Sequence, residues 1–381
     1  MTYFVVFFLS CAFFWLSEKS RSKYVRAFWA FIALLLPCLL AGMRADTVGT
    51  DVKVYVEPMY NAAKASYSIA SYMEQKWYVI WRYMYVKKFE IGFSLIIFVI
   101  EKFGGSLGTV LFVIQALIIT PIYLGLKKIR KPYSICFGMF VFYCMFYNTS
   151  LNMMRQWIAM AIMFLGFSYL INSKKKKYCA FILVACLFHT SAIVGIAVLL
   201  VYLYSTKKRE YIKIAHIKLN GSLVPIKVFV YGCIALLSLN IVAMILGKIG
   251  LSKYIVYIQG RNGLHILPNQ IILRLPVIIL FVARWKKICK EDVLAPFYGS
   301  MIVLDLLFSQ LISINAYATR IASFFSEYNM ISYSAIVYAG NRKYRANRYM
   351  TLLYMLVYMI SYWIYYYAIT GAGETFPYVF A

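Results

Sequence analysis

Four arginines stand beside long apolar runs in this sequence, together with a few carboxylates, amides and imidazoles that could share their chemistry. Arg44 opens the segment Arg44-Ala-Asp-Thr-Val-Gly-Thr-Asp51, with Tyr55 four residues further on. Gly49 permits a tight backbone turn there, which would let Arg44 and Asp51 fold back over one cavity. An Arg–Asp clasp that only shapes a loop is the plainer use of the same residues. Asn152, Arg155 and Gln156 are spaced to share one helical face, although an arginine at a helix end often just snorkels. His189 lies within Phe188-His-Thr-Ser191. Most such histidines are hydrogen-bonded packing residues, yet a neutral imidazole near pH 7 can also take a proton as a general base. Arg320, Ser323 and Glu327 are predicted on one helix face, and Arg274 follows Gln270 by one turn. Asp305 lies deeper and reads as an ion-pair partner for Arg274 or Arg320.

Guanidinium groups gathered at one depth repel each other unless an anion joins them, and their planar fork matches phosphate best. Arg44, Arg155, Arg274 and Arg320 therefore predict an outward-facing site for a phosphate or pyrophosphate at membrane depth, which implies a lipid-linked substrate. Asp51 and His189 are the alternative bases: Asp51 is the more exposed, and His189 has the better-matched unperturbed pKa. His265 is a reserve candidate, and His216, in a basic loop, reads as solvated. Gln156, Tyr55 and Glu327 are taken as further substrate contacts. The aromatics between Tyr55 and Phe89 could stack on sugars, with an interfacial aromatic belt as the competing reading. Neither a metal nor another cofactor is expected, because the outer face offers few clustered carboxylates.

What must position these groups is a membrane-embedded fold. Of the 381 residues, 63% are hydrophobic and 14% charged, with a mean hydropathy of +0.72. Soluble domains carry about 25% charged residues, so a water-soluble fold is excluded, and disorder with it. The net charge of +27 suggests nucleic acid only if the cations form one surface, and apolar runs break them into packets. Stretches approaching the roughly 20 apolar residues of a span recur along the chain. They lie at 2–16, 25–40, 106–126, 134–148, 152–171, 223–246, 270–283, 294–314, 318–339 and 349–370.

Short Lys/Arg-rich loops stay cytoplasmic. Six such packets, 19–26, 127–131, 174–177, 207–218, 284–290 and 342–348, are accordingly placed inside. That leaves loops 41–90 and 248–269, and both ends of the sequence, on the outer side. Segment 179–204 is apolar but flanked by basic packets, which favours a re-entrant hairpin of two half-helices turning near His189 over a single tilted span. Residues 91–103 are too short to span easily and read as an interfacial or dipping helix. A basic packet after segment 2–16, with none before it, inverts the layout of a cleaved signal. The eight cysteines sit in or beside spans and form no CxxC, so neither disulfides nor thiolate metal sites are expected. No inverted repeat of the transporter kind is visible.

The order Arg44…Val48-Gly-Thr-Asp51…Tyr55, Arg155-Gln156-Trp-Ile-Ala159, Phe188-His-Thr-Ser-Ala192 and Arg320-Ile-Ala-Ser-Phe-Phe325 resembles the EpsG family of bacterial exopolysaccharide proteins, which looks like a branch of the Wzy polymerases of O-antigen and capsule. The resemblance implies a metal-independent, inverting glycosyltransferase of the GT-C kind in the bacterial inner membrane. Such an enzyme joins undecaprenyl-pyrophosphate-linked oligosaccharide repeat units, donor and acceptor, at the periplasmic face. Its partners would be membrane lipids, a chain-length regulator and a flippase of the same pathway, and no nucleic acid. The arginines would hold the pyrophosphates and stabilise the leaving-group charge, and Asp51 or His189 would deprotonate the acceptor. A flippase or exporter of the same lipid-linked sugar and an O-antigen ligase are the rival readings. The expected fold is a single all-α polytopic membrane domain over residues 1–381. It would hold about 10–12 transmembrane helices, one re-entrant hairpin and a long, partly helical outer loop.

Overall fold

A computed structural model of the chain describes residues 1–129, 134–206, 213–214, 217–218, 223–238, 244–245, 248, 264–315, 320–339 and 345–381. Among the described residues, five helices are long and apolar enough to cross a membrane: Thr2–Lys19, Lys23–Gly42, Leu107–Ile129, Ala295–Ser313 and Ala346–Ile369. Shorter apolar helices cover Ile135–Met145, Thr190–Thr206 and Val224–Leu237. The protein is an all-α polytopic membrane protein. His216, most of packet 207–218, most of loop 248–269, Arg342 and Thr319 lie outside the described residues.

The chain divides into two compact units, Met1–Ile193 with Met359–Ala381, and Val194–Tyr358. In the first, Leu107–Ile129 packs on Lys23–Gly42 and on Met154–Leu170, and Thr2–Lys19 and Lys175–Cys186 complete the bundle. Small residues let two of these backbones touch. A Cβ on Gly108 would stand 2.6 Å from the Gly42 carbonyl oxygen, the close crossing that membrane helices build from glycine. Pro37, inside its helix, cannot donate to the carbonyl one turn back. That carbonyl, on Ala33, is buried and accepts from Ser10 Oγ at 2.7 Å instead.

The two ends of this unit carry different chemistry. At one end Tyr3 donates to the Thr375 carbonyl, and residues 43–45 pair with 379–381 through Ala45 N–H to Val379 O and Ala381 N–H to Met43 O, both 2.9 Å. At the other end of the Thr2–Lys19 helix, Glu18 accepts from Ser134 and Ile135, and Lys128 and Lys177 both lie over the Tyr169 ring. Within this unit, residues 43–45 and both ends of the sequence thus share one end, and residues of three basic packets share the other.

Three local features depart from the sequence expectation. The run expected as one helix from Asn152 is broken at Met153 (φ −85°, ψ 53°), which separates Tyr147–Asn152 from Met154–Leu170. Asn152 therefore does not share a helical face with Arg155 and Gln156. The helix carrying Arg320 and Ser323 ends at Ser326, one residue short of Glu327. The outer loop holds, besides the helices Glu57–Lys64 and Ile69–Met73, an antiparallel hairpin, Lys76–Val79 with Arg82–Tyr85. Its two-residue turn places Ile80 and Trp81 at φ 48° and 60°, a left-handed pair that asparagine and glycine adopt more readily.

In the second unit, Ala295–Ser309 is the central helix, contacted by Val224–Leu237, Pro268–Glu291, Arg320–Ser326 and Gly195–Thr206. An apolar cavity of about 390 Å³, lined in part by Phe229, Phe281, Trp285 and Leu306 with Lys286 at its wall, lies among the first three of these. Segment 179–204 forms two short helices, Lys175–Cys186 and Gly195–Thr206, interrupted at residues 187–189 as the sequence suggests. The first helix packs in the first unit and the second in the second.

Candidate active site

The break at residues 187–189 is where the first unit gathers its polar groups. The short helix Ile91–Lys102 begins against it: Gly92 N–H donates to the Leu187 carbonyl at 2.9 Å, and a Cβ on Gly92 would lie 2.8 Å from that oxygen. Glycine is what allows this approach. It brings Glu90, the residue preceding the helix, to face the break.

Glu90 is the centre of the cluster. Its Oε2 accepts from Arg155 Nη1 at 2.5 Å, its Oε1 accepts from the Thr190 N–H at 3.3 Å, and His189 Nδ1 lies 3.9 Å from Oε1. Burial pulls the Glu90 carboxyl up, but the charges of Arg155 and His189 outweigh it and hold the group below the usual carboxylate range. The Arg155 guanidinium also sits over two aromatic faces, 5.0 Å from the Tyr55 centroid and 4.7 Å from that of Phe89. Trp77 stacks on Phe89 and donates to the Val54 carbonyl, which fixes the hairpin to this wall.

Asp51 and Tyr55 form the other side. Tyr55 lies in a π-helical turn, Val52–Val56, and donates to Asp51 Oδ2 at 2.6 Å. Burial pushes the Tyr55 phenol well up, with the Asp51 charge adding to it, so the hydroxyl remains a donor. The Asp51 N–H donates to Asn152 Oδ1 at 2.9 Å. Gly49, at φ +89°, turns the chain immediately before, with its N–H on the Glu374 carbonyl.

Arg44 does not clasp Asp51. Its Nη2 reaches Met154 Sδ at 3.4 Å, and it is only 3% exposed, with the Tyr3, Tyr147, Tyr378 and Tyr55 hydroxyls nearby. Its Nε and Nη1 make no hydrogen bond among the described residues. Arg44 and Arg155 thus both lie near Tyr55. Gln156, adjacent to Arg155 in sequence, is buried, with its Nε2 3.6 Å from Met160 Sδ.

The remaining expected site residues belong to the second unit. Arg274 holds Asp305 through both arms of its fork, Nε to Oδ2 and Nη2 to Oδ1, each 3.0 Å, while Nη1 donates to the carbonyl and side-chain oxygens of Gln270. Asp305 is therefore the partner of Arg274, one of the two readings its position suggested. Arg320 is half-buried at the start of its helix, and Glu327 is fully buried in the turn after it. The backbone N–H of His265 donates to Ser313 Oγ at 3.2 Å.

Four of the expected residues, Asp51, Tyr55, Arg155 and His189, are brought together in one cluster. The sequence reading missed Glu90, which figured there only as the end of the outer loop 41–90. Its place between Phe89 and an apolar run was the available signal.

The model of the EpsG family matches residues 27–380, a span that includes Arg44, Asp51, Tyr55, Glu90, Arg155 and His189. The chain belongs to the EpsG family. No curated protein and no solved structure matches it. EpsG membership gives the cluster a setting: a membrane-embedded protein with a polysaccharide-polymerase-like, glycosyltransferase-like function. Among the described residues no group of three or more His, Cys, Asp or Glu is arranged to hold a metal ion.

Proposed function

We propose that this EpsG protein is a repeat-unit polymerase. It transfers a growing glycan from undecaprenyl pyrophosphate onto the next lipid-linked oligosaccharide, by inverting displacement at the outer face of the bacterial inner membrane. The observation that carries the reading is the meeting of Arg155 and His189 on Glu90, within one wall of aromatic rings. That cluster holds the two functions the reaction needs. A guanidinium can stabilise the charge that develops on the departing diphosphate, and an imidazole can take the acceptor proton. Arg155 contacts Glu90 through one nitrogen, and its buried Nε makes no hydrogen bond among the described residues. The guanidinium therefore has donors left for an anion. Arg44 is proposed as a further diphosphate contact, with Gln156 and Tyr55 as contacts to the rest of the substrate.

Between the two candidate bases, His189 is favoured, because Asp51 is committed to the Tyr55 hydroxyl and held by Asn152. The test is a deletion strain complemented with wild type, Arg155→Ala, Arg44→Ala or His189→Asn. Loss of the protein should reduce the surface glycan to single capped repeats, and all three variants should reproduce that loss while accumulating in the membrane. Complete absence of surface sugar would point instead to a flippase, and full-length ladders from Arg155→Ala would remove that arginine from the site.

A further inference from the structure

We infer that Glu90 is a positioning residue that couples occupancy of the diphosphate site to the activation of His189. The inference rests on the polymerase reading above and names how its base is switched on. It starts from a conflict at one atom. The Ser191 N–H points at His189 Nδ1 from 3.2 Å, so Nδ1 presents its lone pair there and the ring proton sits on Nε2. An imidazole in that tautomer has no free lone pair on Nε2 with which to deprotonate an acceptor. The opposite tautomer, with the proton on Nδ1, needs an acceptor for it, and Glu90 Oε1 is 3.9 Å away. That distance is too long for a hydrogen bond, and the carboxylate is meanwhile held by Arg155 and by the Thr190 N–H.

Arg155 decides which arrangement prevails. A diphosphate offers several charged oxygens to a guanidinium that now holds a single carboxylate oxygen, so its arrival draws Arg155 away from Glu90. The freed carboxylate then takes Nδ1–H, His189 exposes a lone pair on Nε2, and the base exists only when a donor is present. In the transfer itself the acceptor O–H proton passes to Nε2, and the acceptor oxygen bonds to the anomeric carbon. The bond to the diphosphate breaks with its electron pair on the diphosphate oxygen. Glu90 stays ionised and faces the imidazolium, as a triad carboxylate does.

The tautomer is directly measurable. The chain has three histidines, so ¹⁵N-histidine-labelled protein in lipid nanodiscs, with His189→Asn for assignment, isolates the ring signals of His189. In wild type, undecaprenyl pyrophosphate should move the proton from Nε2 to Nδ1. In Glu90→Gln the proton should stay on Nε2 with or without that lipid. The variant should bind undecaprenyl pyrophosphate about 10-fold more tightly, since Arg155 has lost a competing anion, while turnover falls roughly 100-fold or more. A merely structural Glu90 would weaken binding and turnover together. Glu90→Asp, which keeps the charge on a shorter arm, should retain the lipid-dependent tautomer change, and it carries the comparison if Glu90→Gln does not accumulate. A tautomer that ignores the lipid in wild type, or responds equally in Glu90→Gln, overturns the coupling. If the tautomer responds as expected but purified wild type does not extend lipid-linked repeat units, the polymerase reading fails and the coupling stands.

Discussion

Arg155 and Arg274 are both paired with a carboxylate, yet the two pairs are built in opposite ways. Arg274 closes its fork on both oxygens of Asp305 and spends its third nitrogen on Gln270, one turn away on its own helix. Arg155 gives Glu90 one nitrogen, rests its face on two rings, and shares that carboxylate with Thr190 and His189. A bidentate pair of helix-borne residues is an interaction the fold holds shut. A single contact from a carboxylate with three neighbours can be exchanged for a ligand. The same two residue types therefore form a closed, bidentate pair in the second unit and a single, shared contact in the first.

Parallel substitutions sharpen that contrast. The largest difference is expected in activity. Arg155→Met should lower repeat-unit polymerisation by roughly 100-fold or more with membrane levels near wild type, as read from glycan ladders and immunoblots of the same cells. Equal loss of protein from Arg155→Met would erase the contrast. Next in size is stability. Arg274→Met leaves Asp305 uncompensated and should cost about 3 kcal/mol, lowering the thermal midpoint of the purified protein. Arg274→Met with Asp305→Leu should recover most of it, and a double variant no more stable than the single one would show that the pair does more than neutralise itself.

The smallest effect is a pH dependence. The Glu90 carboxyl is depressed from its ordinary value of 4.5, so its contribution to stability is present above that pH. It disappears as the pH falls through the lower folded-state value. Wild type should thus lose thermal stability below pH 4.5 more steeply than Glu90→Gln, by about 1 kcal/mol or less. Superimposable acid limbs would show that Arg155 does not hold Glu90 ionised.

The second unit's pair was legible in the sequence because charges inside its apolar runs are so few. An arginine and an aspartate placed in apolar runs must find each other, and Asp305 was assigned to Arg274 or Arg320 on that ground alone. The positions of the apolar helices were legible for a related reason, since hydropathy over some 20 residues decides them. The interruption near His189 showed itself as a polar triplet inside an apolar run. Glu90 was not legible, because it meets Arg155 across 65 residues and Thr190 across 100, distances over which helical spacing says nothing. The break at Met153 also escaped, since Asn152-Met-Met154 contains neither proline nor glycine. The hairpin escaped with it, because Ile80 and Trp81 occupy a turn that asparagine and glycine usually announce.

The pairing of residues 43–45 and 49–50 with the stretch 374–381 has an implication for biogenesis. The loop that presents Arg44 and Asp51 leaves the ribosome more than three hundred residues ahead of its backbone partners. Until residues 374–381 emerge, the loop lacks the Glu374, Val379 and Ala381 contacts that fix its path. The helices that precede residue 374 can therefore be threaded through the bilayer while this loop is still unfinished. Emergence of residues 374–381, rather than insertion of the earlier helices, sets the moment at which Arg44 and Asp51 take their final places.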